Sequence, residues 1–133
     1  MKAFVDTSAF YAVLDRSDAN HNSAASIWRK LLERDAALIT SNYVIVECFA
    51  LMLNRLGKNA TRVFQDDILP LLSVQWVNES DHLRGVSAFL TASRRKLSLV
   101  DCVSFVIMRD LGVKDVFCFD EDFQKEGFSC LEP

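Results

Sequence analysis

Met1-Lys2-Ala3-Phe4-Val5-Asp6-Thr7-Ser8-Ala9-Phe10 opens the chain, and its reading decides the fold. Apolar residues that favour extended backbone run into one carboxylate. Small hydroxyl residues then lead into a second apolar run, which predicts a buried strand, a turn and the start of a helix. Asp6 would then stand at the carboxyl end of a strand, the edge of an open α/β sheet where ligands bind.

Outward from that stretch, strand and helix patterns alternate. Phe10 to Leu14 continues the first helix, and Ala24, Ile27, Trp28, Leu31 and Leu32 recur at helical spacing between about Asn20 and Arg34. Ala36 to Thr40 reads as a second strand, and a helix capped by Ser41 or Asn42 then runs to Leu56 and stops at Gly57. Further helices are predicted over 59–69, ending at Pro70, over 80–93 with Leu83, Val86, Phe89 and Leu90 inward, and over 99–111, opened by Ser98 and closed by Gly112. Ser73 to Val77, Val116 to Phe119 and Phe128 to Leu131 supply three more strands, with a helical turn from Glu121 to Lys125. Strands alternating with helices imply a mostly parallel sheet covered on both sides.

Composition bounds the function. The 133 residues suit one domain, residues 1–133, and with 50% apolar and 25% charged residues the chain is an ordinary globular protein rather than a disordered one. No leader pattern precedes Asp6, and Glu47 and Arg55 punctuate the longest apolar run, so a cytoplasmic protein with no membrane span is expected. Cys48, Cys102, Cys118 and Cys130 form no CxxC pair, and neither His21 nor His82 has metal-type spacing to them. Buried thiols are expected, not a zinc site or a disulfide framework. The net charge of −3 argues against a generic nucleic-acid coat, although Arg55, Lys58 and Arg62 form one basic cluster and Arg94, Arg95 and Lys96 another.

The informative residues are carboxylates where packing would prefer something else. Glu47 is the lone charge from Tyr43 to Leu53, in a helix apolar nearly all round that should be largely buried. Asp101 is likewise the lone charge from Leu97 to Met108, and the fourth strand ends in Phe119-Asp120-Glu121-Asp122-Phe123. Each has an ordinary reading. Asp6 and Asp120 could cap the helical segments that follow them, Ser98-x-x-Asp101 fits a capping box, and Glu47 could face solvent or pair with Arg55 or Lys58. Taken together they can meet over one sheet edge if the first and fourth strands are neighbours. A hard divalent cation neutralises such a cluster, and Mg²⁺ or Mn²⁺ prefers all-oxygen ligands.

These residues resemble the PIN-domain nucleases, most closely the VapC-type toxins of bacterial toxin-antitoxin pairs and their stand-alone relatives. The resemblance is carried by VDTSAF at 5–10, the Glu of SNYVIVECFALM, LSLVDCVSFVIM around Asp101, and CFDEDF followed by Gly127 and Phe128. It implies a three-layer domain with five parallel strands ordered 3-2-1-4-5. It also implies that Asp6, Glu47, Asp101 and Asp120 are catalytic and metal-binding, with Ser8 supporting the metal site and Asp122 able to stand in for Asp120. Cys118 departs from the Thr or Ser usual two residues before the fourth acid. The implied activity is Mg²⁺- or Mn²⁺-dependent endoribonuclease cleavage. Arg94, Arg95 and Lys96 are candidates for holding RNA phosphates, with a solvated basic run as the plain alternative. An antitoxin protein is a possible partner. A symmetric homodimer is expected from an apolar excess among Phe49, Met52, Leu53, Phe64, Ile68, Leu69 and Phe89, with Arg55, Lys58 and Arg62 rimming a groove.

Two other function classes fit the sequence less well. A phosphoacceptor receiver domain would want an acidic pair after the first strand, an Asp ending the third and a Lys ending the fifth; here Asp6 stands alone and those strands end in Asn78 and Leu131. A catalytically silent PIN-like binding module would have no need of a costly carboxylate cluster.

Overall fold

The computed structural model describes residues 1–94 and 96–133. Five strands, β1 (Lys2–Val5), β2 (Ala37–Ser41), β3 (Ser73–Gln75), β4 (Asp115–Phe117) and β5 (Ser129–Cys130), form one sheet of order β3-β2-β1-β4-β5. All four pairings are parallel. Among the described residues seven α-helices accompany them: α1 (Thr7–Leu14), α2 (His21–Glu33), α3 (Asn42–Arg55), α4 (Lys58–Val63), α5 (Glu79–Thr91), α6 (Leu99–Leu111) and α7 (Asp122–Lys125). The order matches the expected 3-2-1-4-5. It also excludes the receiver reading, whose doubly wound sheet runs 2-1-3-4-5.

The central position of β1 follows from its side chains. Ala3, Phe4 and Val5 are all fully buried, as a strand covered on both faces requires. Val5 pairs with Phe117, so β1 and β4 end side by side. The Asp6 backbone N–H extends the ladder by donating to the Phe117 carbonyl at 3.0 Å. The two acids that follow these strands are thereby brought to one edge. Aromatic rings fill the layers above and below. Phe10 and Phe49 both meet Phe64 edge-on, and Phe105, Phe123 and Phe128 pack against one another.

Several sequence expectations change. The helix foreseen over 59–69 is broken into α4, a π turn at Phe64–Ile68 and a 3-10 turn at Leu69–Leu71. Pro70 cannot donate to a helical carbonyl, and Phe64 and Ile68, four residues apart, are both buried in the core. Gly57 does adopt positive φ (93°), but with ψ of −179° it is an extended reversal into α4, not a left-handed helix end.

The second change is in α5, where Leu83, Phe89 and Leu90 point outward and Gly85 is the buried residue. A Cβ built on Gly85 would lie 2.4 Å from the Val103 Cγ2, so α5 approaches α6 through its glycine and its bulky residues are left facing away. The third is in α3, which buries only Val44, Cys48 and Met52; Val46 is 67% exposed and Glu47 is half-buried, not enclosed. The apolar excess named for a dimer face is largely spent on the core, since Met52, Phe64 and Ile68 are buried. Leu53 and Phe89 remain exposed, joined by Val46, Leu71, Trp76, Leu83 and Leu90. No helix among the described residues is long and apolar enough to cross a membrane.

Candidate active site

Asp6 has extended backbone (φ −93°, ψ 163°) as the N-cap of α1, and its Oδ2 accepts from the Ser8 N–H at 3.4 Å and the Ser8 hydroxyl at 2.9 Å. The same Ser8 Oγ accepts the Phe119 N–H at 2.9 Å, which ties the segment after β4 to the first acid. Ser8 thus supports Asp6 and the segment leading to Asp120 at once. Asp6 is 3% exposed. Burial, then the charge of Asp101, pushes its pKa from the ordinary 3.8 up to about 7, against the lowering by the Ser8 bonds.

Asp101 is the third residue of α6 and completes the capping box read from the sequence. Its Oδ2 accepts the Ser98 N–H at 3.1 Å, while the Ser98 hydroxyl accepts the Asp101 N–H at 3.0 Å. The capping role and a place in an acidic site therefore coexist. Burial above all, with the charges of Asp120 and Glu47, lifts Asp101 to about 6 despite the Ser98 bonds. Asp120 follows β4, and its Oδ1 accepts the Asp122 N–H at 3.0 Å. Burial raises the Asp120 carboxyl, and the Asp122 charge adds to the rise.

Asp101, Asp120 and Asp122 each offer a carboxylate oxygen, and the three oxygens lie within 4.8 Å of one another. Asp122, read from the sequence as a stand-in for Asp120, sits beside it instead, at the start of α7 and buried. Asp6 and Glu47 lie outside this tightest group. The charge of Asp101 still raises Asp6, and the charge of Glu47 raises Asp101. Glu47 opens onto a cavity of about 480 Å³ lined also by Asn42, Tyr43, Val46, Ala50 and Val100.

A second cavity, of about 650 Å³, is lined by Arg94, Lys96, Phe119, Asp120, Glu121, Asp122 and Lys125. Two of the three basic residues named from the sequence are on its rim. Arg95 lies outside the described residues. Arg94 is not simply solvated: its Nε is 3.8 Å from Asp122 Oδ1 and its Nη2 donates to Glu126. Sequence reasoning missed Lys125, Glu126 and Arg109. Lys125 carried only a local signal, four residues after Glu121, to which it is ion-paired.

Other candidates fall away from the site. His21 Nδ1 meets the Ala12 carbonyl at 2.8 Å and His82 meets the Tyr43 hydroxyl. Arg55 lies over the Tyr11 ring and Arg62 donates to Asn59, so those two are engaged locally. All four cysteines are free; Cys118 Sγ contacts Cys130 Sγ at 3.2 Å and the Asp120 carbonyl at 3.6 Å.

The model of the PIN domain family matches residues 3–128. The 23S rRNA-specific endonuclease VapC20 of Mycobacterium tuberculosis is 29% identical over 131 residues, 98% of each chain. The crystal structure of that protein, described as a sarcin-ricin loop cleaving toxin, superposes with a TM-score of 0.89 at 28% identity, covering 98% of this chain and 99% of that one. FitAcB from Neisseria gonorrhoeae shares the fold, with a TM-score of 0.68 at 15% identity over 98% of this chain and 96% of that one. With its sheet order, its strand-end acids and a family model matched over nearly its whole length, this chain belongs to the PIN domain family.

Proposed function

We propose that this chain is an endoribonuclease that hydrolyses RNA phosphodiester bonds with Mg²⁺ or Mn²⁺, and that it is the toxin of a toxin-antitoxin pair acting in the cytoplasm. One observation carries the reading: three buried or half-buried carboxylates converge within 4.8 Å. Gathering them is costly, because each loses hydration and each repels the others, and Arg94 stands at one side of the group rather than within it. The donors are all carboxylate oxygens, the set that hard divalent cations select and that a softer metal would not. Asp101, Asp120 and Asp122 would hold the ion, with Asp6 and Glu47 adding negative charge around it.

When bound, such an ion supplies Lewis-acid activation of water and stabilises charge on the leaving oxygen. The chain's own residues do the rest. Ser8 and Ser98 hold Asp6 and Asp101 in fixed orientation through the bonds already described. Arg94, Lys96 and Lys125 face the cavity where a polyanion would lie against the acids. The likeness to VapC20 over nearly the full length supports an RNA substrate. A silent binding module would carry the same electrostatic cost with no return.

A sarcin-ricin loop oligonucleotide is the natural first substrate. Cleavage is expected with Mg²⁺ or Mn²⁺, lost in EDTA and weaker with Ca²⁺, which is larger and coordinates less regularly. Asp101→Asn should lower the rate by a factor on the order of 100 or more, equivalent to about 2.7 kcal/mol or more. Full cleavage in EDTA, or by Asp101→Asn, would remove the metal mechanism from these residues.

A further inference from the structure

Arg94 sits between α5 and α6, in a segment without regular structure. Nothing in the local backbone pattern fixes where its guanidinium points. What fixes it is Glu126, 32 residues further on, whose Oε1 accepts from Arg94 Nη2. The other carboxylate oxygen, Oε2, accepts from Arg109 Nη2 at 2.9 Å, and the Glu126 carbonyl accepts from the same nitrogen at 3.3 Å. Arg109 is itself seated over two aromatic rings, 5.9 Å from the Phe105 centroid and 5.3 Å from the Phe128 centroid. A chain of contacts therefore runs from the aromatic core through Arg109 and Glu126 to Arg94 at the cavity rim.

We propose that Glu126 is a positioning residue for RNA binding: it holds the Arg94 guanidinium at the rim of the acidic cavity, where Arg94 grips a backbone phosphate. This rests on the ribonuclease reading. An arginine carries five N–H donors in a rigid fork. Glu126 takes up one side of it, and the 3.8 Å separation from Asp122 is longer than a hydrogen bond, so donors remain for a phosphate. Lys96 and Lys125 on the same cavity extend the basic track. Paired first with Arg109 and then with Arg94, the Glu126 carboxyl is held below the usual carboxylate range and stays charged at neutral pH.

The sign of one substitution separates positioning from bulk charge. Simple electrostatics says that deleting Glu126, a negative charge near the RNA path, tightens RNA binding. Positioning says the opposite. The test measures RNA affinity by fluorescence anisotropy in the cleavage-impaired Asp101→Asn protein, at several salt concentrations, for Glu126→Ala, Glu126→Gln, Arg94→Ala and the double variant Arg94→Ala/Glu126→Ala.

Arg94→Ala should weaken binding about tenfold and lower the salt slope by about one ion. Glu126→Ala and Glu126→Gln should each weaken binding, and Glu126→Ala should add nothing once Arg94 is gone. Unfolding scans report whether each variant is folded, and Glu126→Gln, nearly the same size as the parent residue, keeps the test open if the alanine variant is not. Affinity that holds or rises in a folded Glu126 variant, or losses that add in the double variant, overturn the positioning role and leave the nuclease reading intact. A parent protein that neither binds nor cleaves RNA overturns both.

Discussion

Asp6 closes β1 and caps α1, and it does so buried beside another carboxylate, a combination with a direct consequence for stability. Its pKa rises from 3.8 to about 7 and that of Asp101 from 3.8 to about 6. Between about pH 4 and pH 7 the folded protein therefore holds protons that the unfolded chain has released, so the metal-free protein loses stability as pH rises across that window. Urea unfolding of the metal-free protein at pH 5 and pH 8 should place the lower midpoint at pH 8. Asp6→Asn should flatten the difference, and an equal midpoint at both pH values would deny the electrostatic strain. Asp6, Glu47 and Asp101 were visible in the sequence because each interrupts an apolar run, and Asp120 because it opens an acidic cluster at a strand's end. The pairing of Asp120 with Asp122 was not, because DEDF offers three acids and periodicity cannot say which turn inward. The Arg94–Glu126–Arg109 chain was out of reach altogether, since its members meet only through space.

At the scale of elements, α6 carries the most weight, since it presents Asp101 at its start and is buried along most of its length. Its fit to α5 depends on Gly85. Gly85→Ala would gain up to about 1 kcal/mol of helix propensity. The new Cβ, however, would fall 2.4 Å from a methyl of Val103, which is fully buried and stiff at χ1. Overpacking should win, with a net loss of about 1–2 kcal/mol in chemical denaturation. Val103→Ala in the same chain should recover part of it, and a stabilised Gly85→Ala would mean that the helices move apart freely. Most helix limits were legible in the sequence because Ser41, Ser98 and Gly112 punctuate them as caps. The orientation of α5 was misread, because apolar size suggested an inward face where a glycine contact sets the distance. The segment after Val63 was misread because Pro70 acts backward on the turns before it.

Across the whole molecule, the sheet order puts the ends of β1 and β4 side by side and so turns two separated sequence motifs into one site. Alternating strands and helices made a parallel sheet legible, whereas the order of its strands came from family resemblance. The outer surface keeps Trp76 at 71% exposure and Leu90 at 73%, together with Val46 and Leu83. We propose that exposed apolar side chains of this kind join two copies in a homodimer, the commonest closed assembly. Light scattering over a concentration series should give twice the chain mass, and a monomer mass persisting at high micromolar concentration would refute it. The cation site itself is tested most directly by calorimetric titration of Mn²⁺ into metal-free protein at pH 6, in buffers of different ionisation enthalpy. Saturable binding with net proton release is expected, because Asp6 and Asp101 retain protons there until the ion displaces them. Both should be lost in Asp101→Asn. Absence of Mn²⁺ binding by the parent protein, or undiminished binding by Asp101→Asn, would contradict the assignment of these carboxylates as the metal site.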